Sequence, residues 1–345
     1  MKKTKWIDYS KKFTQLATRN GFFPDEIDGL LNYAQLLFKQ DLPIIYDQEH
    51  LALLVGYEYK FLLRISNSPE FFYRSFQVPK KSGGERTINE PLPSLKEIQR
   101  WILEEILNQY PVSGYAKAYI RNRSIKDNAH FHVNQKLVLT IDVKDFFPSL
   151  RIKKVNSFFL KIGYSSPVAF LLSNLCCLNG ELPQGAPTSP ALSNILMINV
   201  DKRISAFAKK KGIQYTRYAD DMTFSGDFEP GMLIKFVRNV LRNMRLRINY
   251  EKLRVRRPGQ RQEVTGVIVN EKIQAPKEIR KKLRQSVYYI EKYGLASHLD
   301  KTYNTRANHI YHLLGLANFI LFLNPDDQEV QNYIEILRKY IPRNE

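Results

Sequence analysis

The chain has 345 residues, and its 53 Lys and Arg residues outnumber its 34 Asp and Glu residues, which gives a formal net charge of +19. This surplus predicts a polyanionic partner, and 20 Tyr and 20 Phe residues available for base stacking favour nucleic acid over a membrane surface. No apolar run approaches the roughly 18 residues of a membrane-spanning helix, and the basic amino terminus lacks the apolar segment of a secretory signal. The neighbouring Cys176 and Cys177 lie in an apolar stretch, which predicts reduced packing residues in a cytoplasmic protein.

Apolar residues recur at helical spacing in much of the amino-terminal part, so the first 65 residues are predicted to be helical. Residues 71–91 favour a hairpin with Gly83 and Gly84 at its turn, and an amphipathic pattern predicts the next helix at about residues 94–108. Further helices are predicted at about residues 191–210 and 231–244, and in the carboxy-terminal part.

The stretch LVLTIDVKDFF, at residues 137–147, favours a buried strand that Asp142 interrupts. A buried strand seldom carries an unpaired carboxylate unless a partner or a metal ion compensates it. Asp142 is therefore a candidate ligand.

The stretch GIQYTRYADDMTFSG contains two short alternating runs on either side of Asp220 and Asp221, a pattern typical of a hairpin with both carboxylates at its tip. Adjacent aspartates repel each other unless a cation neutralises them, and carboxylates suit Mg²⁺ that also binds substrate phosphates. With Asp142 they would complete a two-metal site. The alternative is that the Asp pair only forms a turn, since Asp tolerates turn conformations.

Several motifs, in order, resemble those of a known family: IDVKDFF, then LPQGAPTSP from Leu182, then YADD resemble the palm motifs of reverse transcriptases. Asn128 to His132 fit an NAxxH pattern, and Val264-Thr265-Gly266 fits VTG, which narrows the resemblance to bacterial retron reverse transcriptases. This resemblance implies an α+β right-hand polymerase of fingers, palm and thumb, with an antiparallel palm sheet and a helical thumb. The implied domains are a helical region at 1–65, fingers at 66–135 that include an RNA-contact segment, a palm at 136–270 interleaved with fingers at about 160–190, and a thumb at 271–345.

The resemblance also implies the chemistry of the site. Asp142, Asp220 and Asp221 are expected to be catalytic and to hold two Mg²⁺ ions, with Mn²⁺ as a substitute, and Val143 could lend a backbone carbonyl to the metal. The residues expected to bind the incoming nucleotide are Lys81, Arg86, Phe147, Gln184 and Lys252.

These nucleotide contacts have expected roles and open alternatives. Lys81 and Arg86 would contact the triphosphate, unless they belong to a solvated basic turn. Phe147 would exclude a ribose 2′-hydroxyl, unless it is an ordinary core residue. Gln184 would contact the nucleotide sugar and the template, and Lys252 would protonate the leaving pyrophosphate, unless it is an exposed strand lysine.

RNA contact is expected for the retron signatures and for basic residues near them. The residues are Asn128, His132, Arg254, Arg256, Arg257, Val264, Thr265, Gly266, Lys277, Lys281 and Arg284.

The resemblance implies a function: copying part of a cognate structured noncoding RNA into RNA-linked single-stranded DNA (msDNA), from dNTPs and primed by an RNA 2′-hydroxyl. It also implies anti-phage defence with an effector protein, and a host RNase H that removes the template. The alternatives are a mobile-intron or abortive-infection reverse transcriptase, or an RNA-binding scaffold that restrains a toxin effector.

Overall fold

A computed structural model of the chain describes residues 2–80, 83–303 and 308–341. The chain divides into two compact units, each built from segments that are separate in sequence. The first unit comprises Met1–Tyr119, Val143–Arg203 and Val240–Arg247, and the second comprises Ile120–Asp142, Ile204–Asn239 and Ile248–Glu345.

Helices account for most of the described chain. In chain order they are α1 (Lys2–Arg19), α2 (Pro24–Lys39), α3 (Gln48–Val55), α4 (Tyr59–Asn67), α5 (Pro93–Glu105), α6 (Ile125–His130), α7 (Phe146–Ser149), α8 (Ile152–Lys161), α9 (Ser166–Cys176), α10 (Thr188–Leu196), α11 (Ile198–Lys210), α12 (Pro230–Asn243), α13 (Lys277–Tyr293), α14 (Leu295–Lys301), α15 (His309–Leu323) and α16 (Gln328–Arg338). The strands are β1 (Tyr73–Pro79), β2 (Glu85–Pro91), β3 (Leu137–Val143), β4 (Gln214–Tyr218), β5 (Asp221–Gly226), β6 (Ile248–Arg256), β7 (Glu263–Val264) and β8 (Val267–Ile268).

The core of the first unit forms around α9. Its sequence SPVAFLLSNLC is apolar on most of its circumference, as is typical of a helix buried on several sides, and it packs against α3, α4, α5 and α8. Cys176 and Cys177 are buried free thiols here, and burial raises the pKa of Cys176 to about 12. The predicted packing role of the two cysteines is confirmed.

A β-hairpin and a proline-rich loop meet in the first unit. Strands β1 and β2 pair antiparallel from Tyr73 opposite Pro91 to Pro79 opposite Glu85, as predicted. The loop of LPQGAPTSP approaches β2 so closely that a Cβ at Gly185 would lie 2.7 Å from the carbonyl oxygen of Asn89. Only glycine fits this contact.

The second unit contains a four-stranded sheet in the order β4-β5-β3-β6. Strand β5 pairs antiparallel with both β4 and β3, so the predicted strand and the predicted hairpin are confirmed and lie side by side. On one face Tyr215 and Phe224 stack with ring centroids 4.9 Å apart, and this apolar face forms part of the core.

The carboxy-terminal segment forms a separate helical core within the second unit. Leu283, Val287 and Ile290 of α13 are buried against α15 and α16, as the helical spacing predicted, and α14 is a short helix that the sequence did not predict. The single helix expected at about 191–210 is instead the two consecutive helices α10 and α11, which meet at Met197.

The mixture of helices and antiparallel sheets confirms the predicted α+β class. Among the described residues, no helix combines the length and the apolar character needed to cross a lipid bilayer.

Candidate active site

The aspartates of YADD lie where a tight hairpin joins β4 to β5. Ala219 and Asp220 form its two-residue loop, while Asp221 is the first residue of β5 and pairs with Tyr218. Ala219 has a φ of 58°, a left-handed conformation that costs a non-glycine residue roughly 1–2 kcal/mol. The expectation that both carboxylates lie at the tip therefore holds for Asp220 alone, because Asp221 belongs to the strand.

Arg217 supports this loop from the interior of the second unit. Its side chain is fully buried, and its Nη1 donates to the carbonyl oxygen of Ala219 at 3.0 Å. A buried charge is tolerated only where hydrogen bonds or opposite charges compensate it. Alternation along β4 predicts the face on which Arg217 lies but not its hydrogen-bond partner, so only the structure shows that it supports the loop.

Asp142 and Asp221 face each other across the β3–β5 ladder. They are directly paired residues of antiparallel strands, so their side chains leave the same face of the sheet. Burial, and then the charges of Asp220 and Asp142, raise the pKa of Asp221 to about 7, although Lys252 partly opposes this shift. The cluster therefore carries negative charge that is not fully compensated.

Lys252 brings a positive charge to the cluster from β6. Its Nζ donates to Oδ2 of Asp142 at 3.0 Å, and its side chain is 52% exposed whereas that of Asp142 is 8% exposed. Burial opposes protonation of Lys252, but the bond to Asp142 and the charges of Asp220 and Asp221 raise its pKa above the usual value. The side-chain amine of Lys252 is therefore protonated at neutral pH and accessible to a substrate.

The donor set suits a hard divalent cation, because oxygen atoms of carboxylates are the ligands that Mg²⁺ prefers. The contact of Asp142 with an ammonium group is direct evidence that this carboxylate attracts positive charge. Within the described residues, no three His, Cys, Asp or Glu side chains are close enough to enclose an ion by themselves. Substrate phosphates usually complete such sites, so the residues fit a metal that binds together with a nucleotide.

Comparisons with known proteins identify the family. Residues 78–317 match the family model described as reverse transcriptase (RNA-dependent DNA polymerase). Retron Mx65 reverse transcriptase of Myxococcus xanthus is 34% identical over 338 residues, which cover 91% of this chain and 76% of that protein. Retron Ec86 reverse transcriptase of Escherichia coli is 30% identical over 309 residues, which cover 88% of this chain and 93% of that protein. The chain belongs to the retron reverse transcriptases.

This membership establishes the activity of the chain as an RNA-directed DNA polymerase, and its fold class as that of the right-hand polymerases. The family generally uses divalent metal ions, and retron reverse transcriptases work with a noncoding RNA. Among solved structures, telomerase from Candida albicans, in complex with a fragment of telomeric RNA, matches with a TM-score of 0.43 and 11% identity. That match covers 77% of this chain and 63% of the telomerase chain.

The NAxxH signature of this retron reverse transcriptase lies on α6 and the residues that follow it. Ser124 caps the helix and Asp127 completes a capping box, which fixes where α6 begins. Asn128 and His132 lie about one helical turn apart, and both side chains are fully buried. Neither side chain therefore has an exposed atom with which to make the expected contact with RNA.

The VTG signature of the retron reverse transcriptase forms the turn of the β7–β8 hairpin. Thr265 and Gly266 have φ values of 49° and 81°, the pattern of a type I′ turn. Val264 is fully buried, whereas Gly266 is exposed. The Nδ2 of Asn128 lies 3.4 Å from the Oγ1 of Thr265, so the two signatures contact each other.

The other expected nucleotide contacts belong to the first unit, whereas the three aspartates and Lys252 belong to the second. Arg86 is exposed on β2, and Lys81 lies outside the described residues. Gln184 is half-buried, and its carbonyl oxygen accepts a hydrogen bond from the backbone N–H of Asn89 at 2.8 Å.

Phe147 lies on α7, shortly after β3 ends at Val143. It is half-buried, and its ring centroid lies 5.4 Å from that of Phe146 and 6.3 Å from that of Tyr119. Phe146 is the residue that enters the core, since only 4% of it is exposed. The strand ends before this pair, so it is shorter than the apolar stretch at residues 137–147.

The basic residues expected to bind RNA are mostly accessible. Arg254, Arg257, Lys277, Lys281 and Arg284 are exposed, and Arg256 is half-buried.

Arg280 lies among the basic residues of α13 but has a different role. Its guanidinium donates to Asp327, with one bond of 3.0 Å, and to Glu329, so it connects α13 to the start of α16. In the sequence, Arg280 resembles the other basic residues of α13, so its ion pairs inside the protein could not be predicted.

Proposed function

We propose that this retron reverse transcriptase copies part of a cognate structured noncoding RNA into single-stranded DNA that stays joined to the RNA through a 2′-hydroxyl. The observation that carries the proposal is the pairing of Asp142 with Asp221 on one face of the sheet, with Asp220 in the adjoining loop. Nucleotidyl transfer depends mostly on positioning and on neutralising charge, and this cluster supports both.

Asp142, Asp220 and Asp221 are the proposed catalytic residues, and with the backbone carbonyl of Val143 they would hold two Mg²⁺ ions, for which Mn²⁺ can substitute. Bound ions of this kind activate the attacking hydroxyl and stabilise the leaving pyrophosphate. The hairpin holds Asp221 opposite Asp142, and Lys252 keeps a proton available for the pyrophosphate.

The roles expected for the remaining nucleotide contacts are part of the same proposal. Arg86 and Lys81 would bind the triphosphate, Phe147 would select against a 2′-hydroxyl, and Gln184 would contact the sugar and template. For RNA, the proposal includes the basic residues near the signatures, which are Arg254, Arg256, Arg257, Lys277, Lys281 and Arg284, and the turn residues Thr265 and Gly266. For Asn128, His132 and Val264, burial favours a different role.

We propose the following domains: a helical region at 1–65, fingers at 66–135, a palm at 136–270 with fingers interleaved at about 160–190, and a thumb at 271–345.

The proposed biological setting is anti-phage defence in the cytoplasm with an effector protein, with host RNase H removing the copied RNA. A noncoding RNA gene upstream of the coding sequence would support this setting, whereas flanking intron RNA would favour a mobile-intron enzyme.

The proposal is tested on nucleic acid that co-purifies with the chain expressed from its native locus. Wild type is compared with the Asp220→Asn, Asp221→Asn double variant, before and after treatment with RNase or DNase. A discrete DNA that shortens on RNase treatment and is absent from the variant is the expected result.

RNA without DNA in both samples would overturn the proposal and favour an RNA-binding scaffold that restrains an effector. A matched control is Asp227→Asn, which removes an exposed carboxylate that pairs with Lys136 near the end of β5. This control is expected to yield the same DNA as wild type.

A further inference from the structure

His132 is a buried polar contact between the two strands that carry YADD. Its Nδ1 lies 2.7 Å from Oγ of Ser225 on β5, and its Nε2 lies 2.7 Å from Oγ1 of Thr216 on β4. Both hydroxyl residues are buried as well. One imidazole ring therefore bridges the two strands of the hairpin.

The bridge lies on the same face of the sheet as the aspartates. Thr216 pairs with Thr223, and Asp221 precedes Thr223 by two residues, so these side chains share one face. Asp142 pairs with Asp221 on that face. The Arg217–Met222 pair separates the Thr216–Thr223 pair from Asp221, and Ser225 lies four residues beyond Asp221 on β5. His132 therefore contacts the hairpin close to the aspartates, through Thr216 and Ser225.

The two hydrogen bonds suit a neutral imidazole, which has one donor and one acceptor nitrogen. A serine or threonine hydroxyl can donate or accept, so both ring nitrogens can be satisfied in either tautomer. Burial lowers the pKa of His132 to about 3, which keeps the ring uncharged at neutral pH. The ring therefore acts as a fixed hydrogen-bonding spacer between β4 and β5.

The segment that carries His132 is itself held in place. The Nδ2 of Asn128 contacts Thr265 in the VTG turn, and the backbone N–H of Asn134 donates to Val269 at 2.9 Å. Lys126 donates to the carbonyl oxygen of Phe322 at 3.0 Å. The two retron signatures thus form one internal connection from the β7–β8 turn, through α6, to the catalytic hairpin.

We propose that His132 is a positioning residue that holds β4 and β5 in the arrangement that sets Asp221 opposite Asp142. This inference rests on the proposed catalytic role of the aspartates. It predicts that His132 affects nucleotide addition on any primer and template, including those unrelated to the cognate RNA. A residue that contacts the RNA would affect synthesis on the cognate RNA alone.

The test compares His132→Leu, His132→Gln, Thr216→Val and Ser225→Ala with wild type in single-nucleotide addition to a generic primer annealed to poly(rA). The matched control is His130→Leu, because His130 lies in the same segment but is exposed. A second readout is hydrogen exchange of residues 214–226, measured without metal or nucleic acid.

His132→Leu is expected to lower kcat about 10- to 100-fold, since small misplacements of reacting groups cost rates of this order, with the KM for primer-template nearly unchanged. Gln can replace one of the two hydrogen bonds, so His132→Gln should recover part of the rate. Thr216→Val and Ser225→Ala should each have a smaller effect. Exchange in 214–226 should become faster in every one of these variants, while His130→Leu should match wild type in both measurements.

The proposal is overturned if the His132 variants retain the wild-type kcat on poly(rA) and fail only on the cognate RNA. If His132→Leu does not fold, Thr216→Val and Ser225→Ala decide the matter, because unchanged kcat and exchange in both variants would also overturn it. If wild type itself adds no nucleotide, the proposed function fails, and the exchange measurement still decides whether His132 holds the hairpin.

Discussion

At the scale of single residues, the site is organised by repulsion between carboxylates. Asp221 has a neighbouring carboxylate in the loop and another across the ladder, and Lys252 compensates the cluster only in part. Burial of Asp221, and then these two charges, raise its pKa, so the folded chain binds a proton at Asp221 more tightly than the unfolded chain does. The same arrangement attracts the cation that the reaction requires.

Asp221→Asn is expected to stabilise the metal-free protein at pH 8. The pKa of Asp221 rises from 3.8 to about 7 on folding, so its contribution to stability is full below pH 3.8 and is lost as the pH rises through 7. The variant lacks this loss, and its gain at pH 8 should be on the order of 4 kcal/mol, at about 1.4 kcal/mol for each pKa unit. Urea unfolding in EDTA between pH 4 and pH 8 would measure it.

The control for this prediction is Asp227→Asn, whose ion pair with Lys136 is exposed to solvent and should contribute little to stability. An Asp221→Asn gain that does not shrink as the pH falls from 8 to 4 would contradict the electrostatic cause.

His132 has the opposite pH dependence. Its pKa falls from 6.5 to about 3 on folding, so its contribution to stability is present above pH 6.5 and is lost as the pH falls toward 3. We expect His132→Gln to be less stable than wild type at pH 8, with a difference that narrows as the pH falls from 6.5 to 4. A difference that stays constant over that range would indicate that the ring is not buried in its neutral form.

Residues of the site differed in how well the sequence predicted them. Asp142 stands out in the sequence because a carboxylate interrupts an apolar run, whereas only the structure shows that it pairs with Asp221. RNA contact by Asn128 and His132 is an expectation from the family resemblance, since a polar motif outside a regular apolar pattern gives no indication of whether it is buried. Their partners, Thr265, Thr216 and Ser225, are distant in sequence, so only the folded structure identifies them.

At the scale of elements, local patterns predicted most helices and strands but not how closely they approach each other. The β4–β5 hairpin and α13 had clear periodicity, and both are confirmed. Strain in the hairpin loop at Ala219, and the contact of Gly185 with β2, depend on backbone geometry that alternation does not encode.

Gly185→Ala is expected to destabilise the protein by roughly 1–3 kcal/mol, the usual cost of forcing extra atoms into a filled space. Gly185 has a φ of 130°, and an added Cβ would lie 2.7 Å from a backbone oxygen that cannot rotate away. Thermal unfolding would measure the loss. Gly56→Ala separates the two causes, because Gly56 also has a positive φ of 76° but has no atom within 4 Å of an added Cβ. Equal losses in the two variants would show that the contact with β2 is unimportant.

At the scale of the whole molecule, the net charge of +19 predicted nucleic acid, and family membership agrees with that prediction. Charge alone did not show which cations are available to a ligand. Arg280 has two carboxylate partners, whereas Lys277, Lys281 and Arg284 are exposed on the same helix.

Replacing Lys277, Lys281 and Arg284 together by Gln is expected to weaken binding of the cognate RNA and to make it less sensitive to salt. If all three contact phosphates, the slope of log K against log[salt] should become shallower by about 2–3, since each neutralised phosphate contributes roughly 0.7–0.9. Filter binding over a series of salt concentrations would measure the slope. The control replaces Lys5, Lys11 and Lys12 on α1, which removes the same charge and should leave the slope nearly unchanged. Equal slopes for the two triple variants would exclude a specific role for α13.

The burial of Asn128 and His132 has a practical meaning for reprogramming the enzyme. Solvent does not reach these two side chains, so they cannot discriminate between RNAs by direct contact. We expect exposed positions to select the RNA, and such positions can be exchanged between relatives while the interior stays intact. Chimaeras that accept a foreign noncoding RNA should therefore be made by exchanging surface residues while Asn128 and His132 are kept.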